Sequence, residues 1–342
     1  MGPWFDESRL DDESVWSRAD AGLRQLAESG ARVRRAAGQS AEAVAEALTR
    51  SQDSRPRAVI AAGPDSRLLR AVLEPWCPVP FVAWPAPGLP GWAGSLDLVV
   101  MLAPDPSDGA AASAVAEAVR RGCQVVVACD PASMVAEHAA GRWTTVLPAG
   151  SGDQLATAVV MLDYLHRVGL GPSGDPEEVA RALDEVAIAC SPHRDLAVNP
   201  AKMLAIALAD ATPLVWGGSV LAARAARRIA ESIRRASGRG AIAGDAEHLL
   251  PLVEAARPRN VFEDPFADDL PELRPVLVVL DDGSEDPVVR EQRGQLLAAA
   301  ERQQVRVETV AARAASEVAR YAELSLTGRY AADYLSLGTV ES

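Results

Sequence analysis

Three adjacent residues, Gly217-Gly218-Ser219, follow the apolar run Leu214-Val215-Trp216 and precede a helix-patterned stretch over 220–236. A strand ending in glycines against a helix N-terminus gathers free backbone amides and the positive end of the helix dipole, a combination that holds an anion. The same residues also read as an ordinary strand-to-helix turn. Glycines there permit positive φ and close backbone approach, and Ser219 is a good N-cap. The turn residues alone leave both readings open. Acid–base chemistry has one adjacent pair to draw on, Glu247-His248, within a helical stretch over 245–256. Neighbours on a helix point about 100° apart, so one pocket does not easily receive both.

The other reactive residue types offer less. His138 and His166 stand at helix ends, where an imidazolium suits the negative pole, and His193 lies in a loop. Lys202 is the sole lysine of the chain, beside a helix start, and is expected to face solvent. Cys77, Cys123, Cys129 and Cys190 form no CxxC pair; Cys123 and Cys129 share one face of a strand and read as reduced core residues. The run 263–269 has oxygen ligands for a hard cation but no EF-hand spacing, and its proline breaks favour a solvated acidic loop. No Walker A loop, no GxGxxG after a strand and no GxSxG elbow occurs. Neither a metal nor a cofactor is expected.

The elements that position these residues form two similar series. Strands are expected over 57–62, 78–83, 96–102, 124–129 and 143–147, with helices over 65–73, 110–121, 133–140 and 153–167 between and after them. After a glycine- and proline-rich linker at 169–176, strands over 213–216, 275–280 and 305–310 alternate with helices over 220–236, 245–256, 288–303 and 311–326, and the tail 330–337 adds a turn or two. Helices over 11–37 and 41–49 lead the chain. This alternation predicts an α/β fold with mostly parallel sheets flanked by helices. The expected division is an N-terminal domain with its leading helices (1–168), a linker and helix (169–198) and a C-terminal domain (199–342).

Composition narrows the partners. With 342 residues the chain has room for two domains, and its formal net charge of −13 excludes sequence-neutral nucleic-acid binding. No apolar run is long enough to span a bilayer and no signal pattern opens the chain, so a cytoplasmic protein without membrane attachment is expected. The seven tryptophans are scattered along the sequence, with no stacking platform.

Four stretches carry a family resemblance: Leu10-Asp11-Asp12-Glu13; the strand and helix of 98–121 with Arg121-Gly122-Cys123-Gln124-Val125-Val126; Asn199-Pro200-Ala201-Lys202 through 213–218; and Tyr330-Ala331-Ala332-Asp333-Tyr334-Leu335-Ser336-Leu337-Gly338. From residue 11 to about 338 the chain resembles the bifunctional phosphoglucose/phosphomannose isomerases, which have two sugar isomerase (SIS) domains. It has the lysine-poor, arginine-rich cast of their divergent actinobacterial relatives. The resemblance implies two SIS-type domains, a homodimer and a sugar-phosphate ligand. The implied chemistry interconverts aldose and ketose 6-phosphates by proton transfer through an enediol.

Set against that family, the chain departs at each chemical position. The family's loop of the type Ser-x-Ser-Gly-Asn-Thr corresponds to 103–110 here, which keeps Ser107 and Gly109 but gains Asp105 and Asp108. An earlier Gly-Gly-Ser turn has become Gly63-Pro64-Asp65-Ser66, and an arginine expected near 153–155 is missing. Carboxylates at helix starts accept the amides themselves. A phosphate about 5 Å from such a carboxylate meets repulsion of about 3 kcal/mol per charge pair at an effective dielectric near 20. One charge-assisted hydrogen bond returns roughly 1.5–3 kcal/mol, so phosphate needs an arginine, for which Arg67 and Arg70 are the candidates. The family's glutamate run falls near 234–238, which has no acid; no His-Asn pair exists, and no lysine follows Lys202.

The resemblance therefore assigns Ser66, Ser107 and Gly109 to a remnant phosphate loop and Gly217, Gly218 and Ser219 to an amide cradle. Glu247 and His248 are left as the catalytic candidates. The expected function is sugar-phosphate binding on an isomerase scaffold with weak or lost activity. The alternatives are an active glucose/mannose 6-phosphate isomerase with a relocated base, or a non-catalytic SIS interaction protein.

Overall fold

The short apolar runs become parallel strands, and the periodic stretches between them become the helices that cover both sheet faces. The computed structural model describes residues 4–50, 55–256 and 273–340. In chain order the elements are β1 (Trp4–Phe5), α1 (Glu13–Trp16), α2 (Asp20–Ala27), α3 (Ser29–Arg50), β2 (Val59–Ala62), α4 (Ser66–Leu73), β3 (Phe81–Trp84), β4 (Leu98–Ala103), α5 (Gly109–Arg120), β5 (Gln124–Cys129), α6 (Met134–His138), β6 (Thr144–Pro148) and α7 (Gln154–Arg167). They continue with α8 (Pro176–Ala189), α9 (Pro200–Ala209), β7 (Ala211–Gly217), α10 (Val220–Ser237), β8 (Ile242–Ala243), α11 (Ala246–Glu254), β9 (Arg274–Asp281), α12 (Pro287–Arg302), β10 (Arg306–Ala311), α13 (Glu317–Gly338) and β11 (Thr339–Val340). The expected acidic loop 263–269 lies outside the described residues.

Residues Ser29–Arg181 form one compact unit; the chain from Ala182 onward, with the leading residues up to Glu28, forms the other. The first of these holds a five-stranded parallel sheet in the order β3-β2-β4-β5-β6. Every residue of β4 is buried, as a strand covered on both faces requires. Ile60, Val99, Met101, Val125 and Val127 pack with Ala111, Val115 and Ala118 of α5 and Val135 of α6. The other face lies under α3 and α7. The second unit holds a four-stranded parallel sheet in the order β10-β9-β7-β8. Leu214, Trp216, Leu277 and Val279 pack there with Leu249 and Val253 of α11 and Leu296 and Ala299 of α12. The α/β class with parallel, helix-covered sheets is therefore as expected.

Three local expectations change. The leading helix breaks into short pieces, because Asp12 Oδ1 accepts the Ser14 amide at 2.8 Å and caps α1, and α2 ends at Ala27. The stretch expected as a separate helix at 41–49 belongs to α3, whose buried stripe Val33, Ala36, Ser40, Val44 and Ala47 runs unbroken past Gly38. At the other end, the helix expected over 311–326 starts only at Glu317, capped by Ser316, and takes in the tail as one 22-residue helix. Gly328 does not interrupt it: a Cβ there would lie 2.2 Å from Ile229 of α10, so the glycine is what lets the two helices close. Two short strands went unanticipated. β1 pairs antiparallel with β11, and Gly338 makes room for the Phe5 ring, which a Cβ would meet at 2.2 Å.

Among the described residues no helix is long and apolar enough to cross a membrane. Trp76, Trp92 and Trp143, each half or more exposed, stand in the connections leading into β3, β4 and β6.

Candidate functional site

In the Ser29–Arg181 unit the strand order changes direction between β2 and β4. In open parallel sheets ligands bind outside the carboxyl ends of the strands at such a switch point. Two loops flank it. After β2, Gly63 turns the chain with φ of +87°, and α4 starts at Ser66. Ser66 is only 1% exposed, and its Oγ has no hydrogen-bond partner among the described residues. Beside it, Asp65 Oδ1 accepts a hydrogen bond from Gln154 Nε2, which ties the start of α4 to the start of α7. Ser151, three residues before Gln154, has a second buried hydroxyl oxygen without a partner.

After β4, the chain satisfies itself. Asp105 Oδ1 accepts from the Ser107 amide at 2.9 Å and from the Ser107 hydroxyl at 2.7 Å. Those bonds, backbone first, hold the Asp105 carboxyl below the usual aspartate range. What they add to the folded state is therefore present above the ordinary aspartate pKa and is lost as pH falls through the lowered value. Asp108 Oδ1 accepts from the Ala111 amide at 2.9 Å and caps α5, of which Gly109 is the first residue. Substituting Asp108 by Ala is expected to remove about 1 kcal/mol of stability, the ordinary worth of an N-cap, read as a lower urea midpoint.

No arginine comes free for an anion on α4's far end, since Arg70 Nε is held by Glu74 Oε2 at 2.7 Å. Arg67 is exposed on the first turn of α4. Sequence reasoning missed a third arginine. Arg32 of α3 is buried and its guanidinium meets Asp153 Oδ2 at 2.8 Å. Asp153 in turn caps α7 through Leu155 and Ala156 amides at 2.8 and 3.1 Å. An arginine anchored by a carboxylate at a helix start has no local sequence signal, because 121 residues separate the partners.

In the other unit, Ser219 Oγ accepts from the Ala222 amide at 3.1 Å and donates to Asp282 Oδ2. Neither Gly217 nor Gly218 has positive φ. Both are glycines for space: a Cβ on Gly217 would lie 2.3 Å from the Ala222 carbonyl carbon, and one on Gly218 2.3 Å from Val289. The protein's own atoms fill the expected cradle, and this geometry favours the capped-turn reading. Nearby, Trp216, Asp281, Asp282, Ser284, Arg290 and Arg293 line a hollow of about 20 Å³, room for a water and not for a sugar. Arg293 there bonds Asp281 at 2.8 Å. Glu247 and His248 are both exposed, on the first turn of α11, and neither lines that hollow.

Lys202 does not face solvent. Its side chain is wholly buried, and Nζ donates to Asp11 Oδ1 at 2.7 Å, the Pro192 carbonyl at 2.8 Å and the Arg194 carbonyl at 2.9 Å. The ammonium also sits 5.6 Å from the centre of the Tyr334 ring. All three of its donors are used, so it is a structural cation. His193 packs edge-on against Trp16, and His138 and His166 bond backbone carbonyls near their helix ends. Burial pushes the thiols of Cys123 and Cys129 up, and that of Cys190 to about 12, which leaves them unreactive. Among the described residues no cluster of histidine, cysteine or carboxylate side chains is placed to hold a metal.

Comparison with known proteins agrees with this architecture. Residues 197–339 match the family model described as the bacterial phospho-glucose isomerase C-terminal SIS domain. Among curated proteins none matches the sequence. The fold is shared with tagatose-6-phosphate ketose/aldose isomerase from Escherichia coli, at a TM-score of 0.67 and 14% identity over 91% of this chain and 93% of that one. It is also similar to the C-terminal domain of glucosamine-fructose-6-phosphate aminotransferase from Francisella tularensis, with a TM-score of 0.62, 10% identity and coverage of 93% and 97%. A glucose-6-phosphate isomerase like protein from Thermus thermophilus gives 0.51 at 17% identity, covering 84% and 82%. The chain thus has a phosphosugar isomerase-like SIS fold.

Proposed function

We propose that this chain binds a carbohydrate derivative on a phosphosugar isomerase scaffold and has lost aldose–ketose isomerisation. One observation carries the reading: the loop after β4 spends its polar groups internally. Asp105 occupies the amide and hydroxyl of Ser107, and Asp108 caps α5. A phosphoryl group held there has to displace carboxylates that share its charge. Ser66, at the switch point, keeps a buried hydroxyl with no partner, so a binding role survives the loss of the anion loop. Glu247 and His248, exposed on adjacent positions of α11, are poorly placed to share one substrate carbon. Descent from the bifunctional phosphoglucose/phosphomannose isomerases and assembly as a homodimer belong to the same proposal.

A coupled assay for conversion of glucose 6-phosphate or mannose 6-phosphate to fructose 6-phosphate tests the catalytic half. No turnover above buffer is expected at micromolar protein. Turnover abolished by Glu247→Gln would establish the relocated-base isomerase instead. A thermal-shift series with hexoses and hexose phosphates tests the binding half: a rise in Tm with one of them is expected, and no rise with any would favour the interaction role.

A further inference from the structure

The binding reading above leaves the ligand's class open, and the rim of the Ser29–Arg181 sheet narrows it. Resting on that reading, we infer that the site takes a neutral hexose or polyol and discriminates against its phosphate ester. Two buried hydroxyls without partners, Ser66 Oγ and Ser151 Oγ, lie on the two loops that the Gln154–Asp65 hydrogen bond draws together. Buried polar groups are almost always satisfied, and an orphaned one in a native fold calls for an ordered water or a ligand. The third loop comes close as well, since a Cβ on Gly152 would lie 4.0 Å from the Pro104 carbonyl oxygen.

Charge then selects between ligands that share a carbohydrate body. The loops present carboxylates at Asp65, Asp105, Asp108 and Asp153. Arg32 is spent on Asp153 and Arg70 on Glu74, which leaves exposed Arg67 on the first turn of α4 against an acidic rim. Serine hydroxyls are good partners for sugar hydroxyls, which both donate and accept. A phosphate dianion brings two further negative charges to the same rim and no hydroxyl the neutral sugar lacks.

Calorimetric titration of the full chain with glucose, mannose and fructose, and with their 6-phosphates, tests this. A neutral hexose is expected to bind at least tenfold more tightly than its own 6-phosphate. Ser66→Ala is expected to weaken the hexose about tenfold while leaving Tm unchanged or raised, because it deletes a buried group that lacks a partner. Equal or tighter binding of the 6-phosphate overturns the inference and leaves the binding reading standing. Unchanged hexose affinity in Ser66→Ala overturns the placement of the site. Binding of neither class overturns the binding reading itself.

Discussion

Lys202→Met is expected to destabilise the unit that contains α9 and α13 by about 3–5 kcal/mol, the cost of breaking a buried, hydrogen-bonded charge site. The Nζ ammonium satisfies two backbone carbonyls, of Pro192 and Arg194, that lie within one loop, and it anchors Asp11 from the start of the chain. Each orphaned carbonyl costs roughly 1–3 kcal/mol. Asp11 is less affected, because its side chain is 46% exposed and rehydrates. Asp11→Asn keeps an acceptor for Nζ but takes the counter-charge from a wholly buried ammonium, so it is expected to cost more than an exposed pair and less than Lys202→Met. Lys202→Arg should fail nearly as badly as Lys202→Met. A planar guanidinium is bulkier and cannot aim three donors at the corners of a small cage, which explains why a chain otherwise built on arginine keeps one lysine. Urea unfolding followed by amide exchange across α9 reads the effect. A loss below about 0.5 kcal/mol for Lys202→Met, the size of an ordinary surface substitution, would show that the cage holds nothing together.

Gly217→Ala is expected to cost about 3 kcal/mol or more, at the top of the usual overpacking range. The new Cβ would sit 2.3 Å from backbone atoms of Ala222, which cannot rotate away as a side chain can. Helix α10 has to slide off β7, and α13, packed on α10, goes with it. For a unit of this size the loss corresponds to a fall in Tm of roughly 6–10 °C. The same substitution also separates the two readings of the turn. If the glycines serve packing, Gly217→Ala lowers Tm without changing carbohydrate affinity at temperatures where the chain is folded. A variant that keeps its Tm and loses ligand would restore the amide cradle.

Much of the fold was legible because its signals are local. The strand Gln124–Cys129 reads directly from the apolar run Val125-Val126-Val127-Ala128, and Asp108, Asp153 and Ser219 announce their helices as caps. The carboxylates of the loop after β4 were likewise readable as occupants of their own amides. What stayed hidden is set by partners distant in sequence. Lys202 looks like a solvent residue at a helix start until Asp11, 191 residues away, is brought to it. Gly328 looks like a break until Ile229 is seen to need its space. The Arg32–Asp153 pair and the orphan hydroxyls of Ser66 and Ser151 depend on how three loops converge, which no spacing in the sequence records.

Aldose–ketose isomerisation through an enediol removes the proton on the carbon next to the carbonyl, whether or not net product accumulates. Incubating glucose 6-phosphate, mannose 6-phosphate or fructose 6-phosphate with the protein in D2O and following deuterium at that carbon by NMR reads this step alone. The expected result is exchange no faster than in buffer for all three sugars, at any protein concentration. Deuterium incorporation that scales with protein, and that Glu247→Gln or His248→Asn removes, would contradict the loss of isomerase chemistry.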